Sequence, residues 1–180
     1  PDKISTLFLP DITYSSQSTR TPWKPEAPLR VLFLGRILPY KGLGLFVDAL
    51  ERLTQAGLRV EAGVFGEGAL GANEARLKRI GAEVVNRWIG EEEIARILSR
   101  YDIMVASHVE TSQSGVVATA FGAGLPVIAT PVGALPEQVS SGINGLVADA
   151  VSGDALAMAI RRVADDSALY ATLCKGVENT

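Results

Sequence analysis

The chain has 180 residues, of which 47% are hydrophobic and 21% charged, and its formal net charge is -3. That balance suits one globular domain with a substantial core and excludes a disordered segment. Mild acidity also excludes a general nucleic-acid or anionic-membrane surface, so any phosphate recognition has to be local.

A single cysteine, Cys174, rules out an internal disulfide and fits a reducing, cytoplasmic setting. No apolar run has membrane-spanning length and there is no signal-peptide pattern, so no transmembrane segment is expected. The first residue is proline instead of methionine, as expected of a piece of something longer. With one cysteine and one histidine, His108, a Cys/His zinc site or catalytic pair has little to build from. His108 reads as a loop residue after a strand, with a histidine acting alone as the alternative.

Residues 1–28 are rich in Ser, Thr and Pro and carry neither helical nor strand periodicity, which reads as a linker or an arm toward a missing N-terminal domain. From Leu29 to the end, residues 29–180, strands and helices alternate. Val31-Leu32-Phe33-Leu34 has the unbroken apolar character of a strand covered on both faces. Gly35 lets the backbone turn away, and a helix is expected from about Gly44. Its apolar stripe is Phe46, Ala49, Leu50 and Leu53, and Gly57 is its stop. Val60–Phe65 is a second apolar strand, followed by a short helix over Asn73–Ile80. A third strand is expected around Val84-Val85, continuing toward Trp88-Ile89. In EEEIARILSRY, Ile94, Ile97, Leu98 and Tyr101 share a helical face, with acids first and arginines late, as the helix dipole prefers. Asp102–Ala106 reads as a fourth strand, Ser114–Ala123 as a helix, Pro126–Thr130 as a fifth strand and Gly145–Ala148 as a sixth. Leu156, Ala159, Ile160 and Val163 mark another amphipathic helix, and a last one runs from about Ala168 to Lys175. Repeated βα units imply an α/β fold: a Rossmann-like, doubly wound parallel sheet of about six strands flanked by helices.

Four segments carry chemistry. Arg36 and Lys41 follow the first strand in a turn bounded by Gly35, Gly42 and Gly44. Open α/β sheets bind ligands at the carboxyl ends of their strands, and two cations there suggest a polyanion, most simply a diphosphate. GEGALG, Gly66 to Gly71, matches GxGxxG but follows the second strand, and no strand ending in an acid follows it. It reads as a glycine-rich loop, with NAD binding as the alternative. After the fourth strand a polar loop leads to Ser114, expected as an N-cap, then Gly115, Val116 and Val117 at a helix start. Free amides there form an anion site, against the plainer reading of an ordinary capped helix. In TPVGALPEQV, Glu137 is equally an N-terminal acid of a short helix.

GR…KG (Gly35-Arg36, Lys41-Gly42), GEG, the strand-end WIG before an acidic helix start, and GAGLPVIATPVGALPEQV…GINGLV occur in order. Together they resemble the nucleotide-binding C-terminal domain of retaining, nucleotide-sugar-dependent glycosyltransferases of GT-B fold, the glycosyl transferase group 1 type. The resemblance covers nearly everything from Leu29 to about Cys174. It implies a UDP-, GDP- or ADP-sugar donor, no further cofactor and no metal. It implies transfer with retention to an acceptor hydroxyl on a glycan, lipid or small molecule, bound with an N-terminal domain. In the full-length protein the domain would be cytoplasmic or peripheral to a membrane.

By the same resemblance Arg36 and Lys41 hold the diphosphate. Gly35, Gly66, Glu67, Gly68, Trp88, Ile89 and Gly90 lie by the nucleotide, and Gln113, Ser114, Gly115, Val116 and Val117 cap the phosphate. The family often has two glutamates eight residues apart; here those positions are Thr111 and Thr119, with Glu110 one residue out of register. Glu110 is expected to replace the first glutamate only if the loop shifts, and Thr119 to touch sugar or ribose. A catalytically silent nucleotide-binding module remains the other alternative.

Overall fold

The computed structural model describes residues 23–111 and 113–180; most of the expected arm, residues 1–22, lies outside the described residues. Six strands form one parallel sheet: β1 (Leu29–Leu34), β2 (Val60–Phe65), β3 (Glu83–Val85), β4 (Ile103–Ala106), β5 (Val127–Ala129) and β6 (Gly145–Val147). Their spatial order is β3-β2-β1-β4-β5-β6. The expected doubly wound sheet is therefore present, and its strand order reverses between β1 and β4.

The helices are α1 (Leu43–Gln55), α2 (Asn73–Ile80), α3 (Glu91–Ser99), α4 (Gly115–Gly122), α5 (Leu135–Gln138), α6 (Gly153–Asp165) and α7 (Ser167–Val177). They divide between the two faces of the sheet. Leu29, Val31 and Phe33 of β1 point into a core built with α1, α2, α6 and α7. Leu32 and Leu34 point into a second core with α3, α4 and α5. This two-sided burial is why β1 is apolar without alternation. No helix among the described residues is long and apolar enough to cross a membrane.

Two details of the chain depart from expectation. The third strand ends at Val85 and does not run on to Trp88-Ile89. Asn86 takes over from the backbone ladder: its amide nitrogen donates to the Gly68 carbonyl at 2.9 Å and its Oδ1 accepts from the Gly68 N–H at 3.0 Å. The described part of the expected arm is also docked on the domain body. Trp23 is buried, its ring meets Tyr170 of α7 edge-on at 5.8 Å, and its indole N–H donates to the Ala27 carbonyl.

At the amino ends of β1 and β4 a buried charge sets the register. Asp102 is fully buried and accepts from the Arg30 backbone N–H at 2.8 Å, from Nε at 3.0 Å and from Nη2 at 2.5 Å. A buried carboxylate is tolerated when paired and hydrogen-bonded in this way. Its grip on Arg30 sits one residue before the Val31↔Ile103 pairing that starts the β1–β4 ladder.

Candidate functional site

Beyond Leu34 the chain leaves the sheet through Gly35, whose φ is +117°. A Cβ added at Gly35 would meet Val116 Cγ1 at 3.2 Å, so the end of β1 lies directly against the first turn of α4. Arg36 follows, exposed to solvent. The chain then makes a single 3₁₀ turn, Pro39–Lys41, stopped by Gly42 in the left-handed region at φ +66°. Gly42 has no room for a side chain: a Cβ there would stand 1.9 Å from the Ser107 carbonyl oxygen. That close approach brings the turn onto the end of β4. Ser107 Oγ donates to the Lys41 carbonyl at 3.1 Å, and the Val109 N–H donates to the Tyr40 carbonyl at 2.9 Å. The first crossover is thereby stitched to the loop between β4 and α4.

The stitching brings Lys41 to His108. Lys41 Nζ lies 2.9 Å from His108 Nε2, and Ser114 Oγ lies 3.3 Å from the same nitrogen. An ammonium can only donate, so Nε2 accepts and the imidazole proton sits on Nδ1. His108 is 2% exposed, and its Nδ1 has no partner in hydrogen-bonding geometry among the described residues. Burial, and then the Lys41 charge, push the His108 pKa down to about 4, with weak opposition from the Ala106 carbonyl. The imidazole is therefore neutral at physiological pH. The Lys41 pKa is lowered by its own partial burial and by the nearby positive charge of Arg36.

Ser114 stands at the N-cap position of α4 with extended dihedrals, but its hydroxyl does not cap the helix. This corrects the expected cap. The hydroxyl turns toward His108, while the Ser114 backbone exchanges two hydrogen bonds with the Gln138 side chain, at 3.0 Å from its N–H and 3.3 Å to its carbonyl. The N–H groups of Gly115 and Val116 have no partner among the described residues, as the first turn of a helix leaves them. Gly115 is exposed, Val116 half-buried and Val117 buried. Gln113 and Glu110 are exposed on the preceding loop. Thr111 Oγ1 donates to the Gln113 carbonyl, and Thr119 Oγ1 to the Gly115 carbonyl one turn earlier, so Thr119 has only acceptor capacity left.

Two glycines of GEGALG, Gly66 and Gly68, have a packing explanation; Gly71, at φ +55°, has nothing within 4 Å of an added Cβ. A Cβ on Gly66 would meet the Gly35 carbonyl oxygen at 2.0 Å, and one on Gly68 the Ile37 carbonyl oxygen at 2.1 Å. The Ile37 N–H also donates to the Glu67 carbonyl at 2.8 Å. These glycines let the loop after β2 run against the loop after β1, and no dinucleotide is needed to account for them. The Glu67 side chain is exposed. Beyond Asn86, Trp88 is 70% exposed while Ile89 turns into the core.

The carboxyl ends of β3, β2, β1 and β4 thus present, in that order, an exposed indole, a backbone loop, two cations and the start of a helix. Arg36 and Lys41 enter no ion pair among the described residues, whereas Arg30, Arg52, Arg76, Arg79, Arg87, Arg100 and Arg161 all do. A pair of uncompensated cations beside unpaired helix amides is an arrangement suited to a polyanion. Among the described residues there is no group of three or more His, Cys, Asp or Glu able to hold a metal ion. The sequence places His108 in a loop just past a strand, as the structure does, but nothing local in it records the meeting with Lys41.

Comparison with known proteins agrees with this architecture. The family model for glycosyl transferases group 1 matches residues 28–166. The amylovoran biosynthesis glycosyltransferase AmsK of Erwinia amylovora is 29% identical over 154 residues, covering 78% of this chain and 37% of that protein. The chain spans just over a third of the length of curated relatives that it matches. The structure of HepE from Anabaena in complex with UDP and glucose is similar with a TM-score of 0.71 at 21% identity, over 84% of this chain and 43% of that one. The C-terminal domain of the glycosyl transferase group 1 family protein LpcC from Francisella tularensis has a TM-score of 0.67 at 23% identity, over 86% and 85%. At such identities the structural likeness speaks to fold alone. By sequence and by fold, this chain is a member of the glycosyl transferases group 1 family, with the architecture of the C-terminal domain of a GT-B glycosyltransferase.

Proposed function

We propose that this domain binds the nucleoside diphosphate sugar donor of a retaining glycosyltransferase. Arg36 and Lys41 neutralise the diphosphate, and the amides at the start of α4 cap it. Trp88 and the loop Gly66–Gly68 flank the base, and Thr119 or Glu110 touches ribose or sugar. As the bond from the anomeric carbon to the phosphate oxygen breaks, the leaving diphosphate gains negative charge. Fixed cations and amides then stabilise the transition state more than the ground state. The acceptor hydroxyl, on a glycan, lipid or small molecule, would come from a cleft shared with an N-terminal domain. This domain alone is therefore expected to bind donor weakly and to transfer little or no sugar.

The observation that carries the reading is the meeting of Lys41 with His108 and Ser114 at the mouth of α4, with both cations free of carboxylate partners among the described residues. Calorimetry with UDP, GDP and ADP tests it. One nucleotide should bind preferentially, and Arg36→Ala and Lys41→Ala should each weaken it by about 1.5–3 kcal/mol, the contribution of a charge-assisted contact. Equal affinity in wild type and both variants would refute the site. Stabilisation by NADH but by none of the three nucleotides would instead favour a dinucleotide-binding domain. A module that binds donor without transferring sugar is the reading favoured by threonine at 111 and 119; donor turnover in the full-length enzyme excludes it.

A further inference from the structure

We infer that His108 is a positioning residue for the diphosphate-binding cation, acting through Lys41. The inference rests on the donor-site reading above, and goes beyond it to a residue with no contact to the donor. Lysine is a flexible four-carbon stem, and holding its head in place costs entropy that weakens binding unless the protein has already ordered it. Here three contacts within the protein hold residue 41. The backbone of residue 41 is pinned by Ser107 Oγ, its ammonium donates to His108 Nε2 at 2.9 Å, and its charge lies 5.4 Å from the Tyr40 ring centroid. His108 in turn is buried and held: it is 2% exposed, Thr130 Oγ1 donates to its carbonyl at 2.6 Å, and Ser114 Oγ flanks the accepting nitrogen.

The chemical identity of the acceptor matters. A carboxylate at position 108 would orient Lys41 equally well but would cancel its charge. A neutral imidazole holds the ammonium and leaves its full positive charge for phosphate. The groups around the imidazole keep it neutral. Lys41 touches it and Arg36 stands behind Lys41; Tyr40 lies 6.4 Å away; α4 contributes the Ser114 hydroxyl and no charged side chain; and Gln138 of α5 is uncharged. The Ser114 hydroxyl, 3.3 Å from the same nitrogen, adds no charge to the surroundings of the imidazole.

The test combines binding and spectroscopy. Dissociation constants for inorganic pyrophosphate and UDP are measured on wild type, His108→Ala, His108→Gln, Lys41→Met and the Lys41→Met/His108→Ala double variant, with thermal melts confirming that each is folded. His108→Ala should weaken both ligands about 3–10-fold, the entropy of one mobile side chain. His108→Gln keeps a neutral acceptor oxygen and should recover most of the loss. In the Lys41→Met background, His108→Ala should change nothing more. An equal loss in that background, or no loss in wild type, overturns the inference. The Lys41 ε-methylene NMR signal of the ligand-free chain separates this outcome from failure of the donor reading. It should shift in His108→Ala and return in His108→Gln even if no nucleotide binds, and a signal indifferent to both substitutions refutes the mount by itself.

Discussion

Asp102→Ala removes the only acceptor of three Arg30 hydrogen bonds, and its cost can be worked from the geometry. Breaking a buried ion pair by deleting one partner commonly costs about 3–5 kcal/mol, because a charge is left buried without compensation. Here the surviving partner is not fully trapped: the Arg30 side chain is 34% exposed, so its guanidinium can turn to water. What stays orphaned is the Arg30 backbone N–H, worth about 1–3 kcal/mol when buried without a partner. The lost charge-assisted bonds add to that, discounted for screening at the exposed side of Arg30. We therefore expect about 3 kcal/mol, with Asp102→Asn in between because one amide oxygen can still accept. Urea denaturation followed by circular dichroism measures it as a shift in midpoint with unchanged slope. Nucleotide affinity of the folded variant should change little, since Asp102 lies at the opposite end of the strands from Arg36. A loss below about 1 kcal/mol would refute the view that this pair anchors the β1–β4 register.

Two further outcomes are expected. The His108 pKa is about 4 in the folded chain, against about 6.5 for an unfolded histidine, so between those values the unfolded chain binds the extra proton. Stability from this group is therefore complete above about pH 6.5 and is lost as pH falls toward 4, by about 3 kcal/mol at most. Urea midpoints at pH 7 and pH 4.5 should converge in His108→Gln relative to wild type, and parallel behaviour of the two proteins would contradict the assignment. Gly66→Ala forces a Cβ to within 2.0 Å of the Gly35 carbonyl oxygen at a φ of +144°, and should cost about 2 kcal/mol or more in thermal melts. Gly90→Ala, which meets nothing within 4 Å, is the control and should stay within about 0.5 kcal/mol of wild type.

The elements that were legible in the sequence are those whose signal is local. The unbroken apolar run of β1, the stripe of α1 and the Asn73–Ile80 helix are patterns a short window contains, and they appear where the pattern puts them. Alternation of strand and helix then leaves few topologies, so the doubly wound order followed from general handedness and connection rules. The departures share a different origin. Asn86 ends β3 by bonding to Gly68, eighteen residues earlier, and Trp23 is buried by Tyr170, far along the chain. Ser114 had the sequence context of an N-cap. Whether its hydroxyl serves the helix or a histidine depends on where β4, β5 and α5 bring His108 and Gln138, and no window around Ser114 records that.

The two ends of the β1–β4 pair handle positive charge in opposite ways, and the contrast explains why one end suits function. At the amino ends, Arg30 meets a fully buried carboxylate, so its charge is compensated within the protein and serves register. At the carboxyl ends, Arg36 and Lys41 stand close enough for one to lower the pKa of the other, and among the described residues no carboxylate pairs with them. Such a pair repels itself, and an anion lying against both cations would relieve that repulsion. The neutral groups around Lys41 (an imidazole, a hydroxyl and an aromatic ring) constrain its position without relieving that repulsion. A ligand carrying two adjacent negative charges gains both the Coulomb attraction and the removal of this repulsion. A singly charged ligand can relieve only part of it. Affinity should therefore rise steeply from monophosphate to diphosphate, and a nucleoside monophosphate that bound as tightly as its diphosphate would show that the cation pair does not face the ligand.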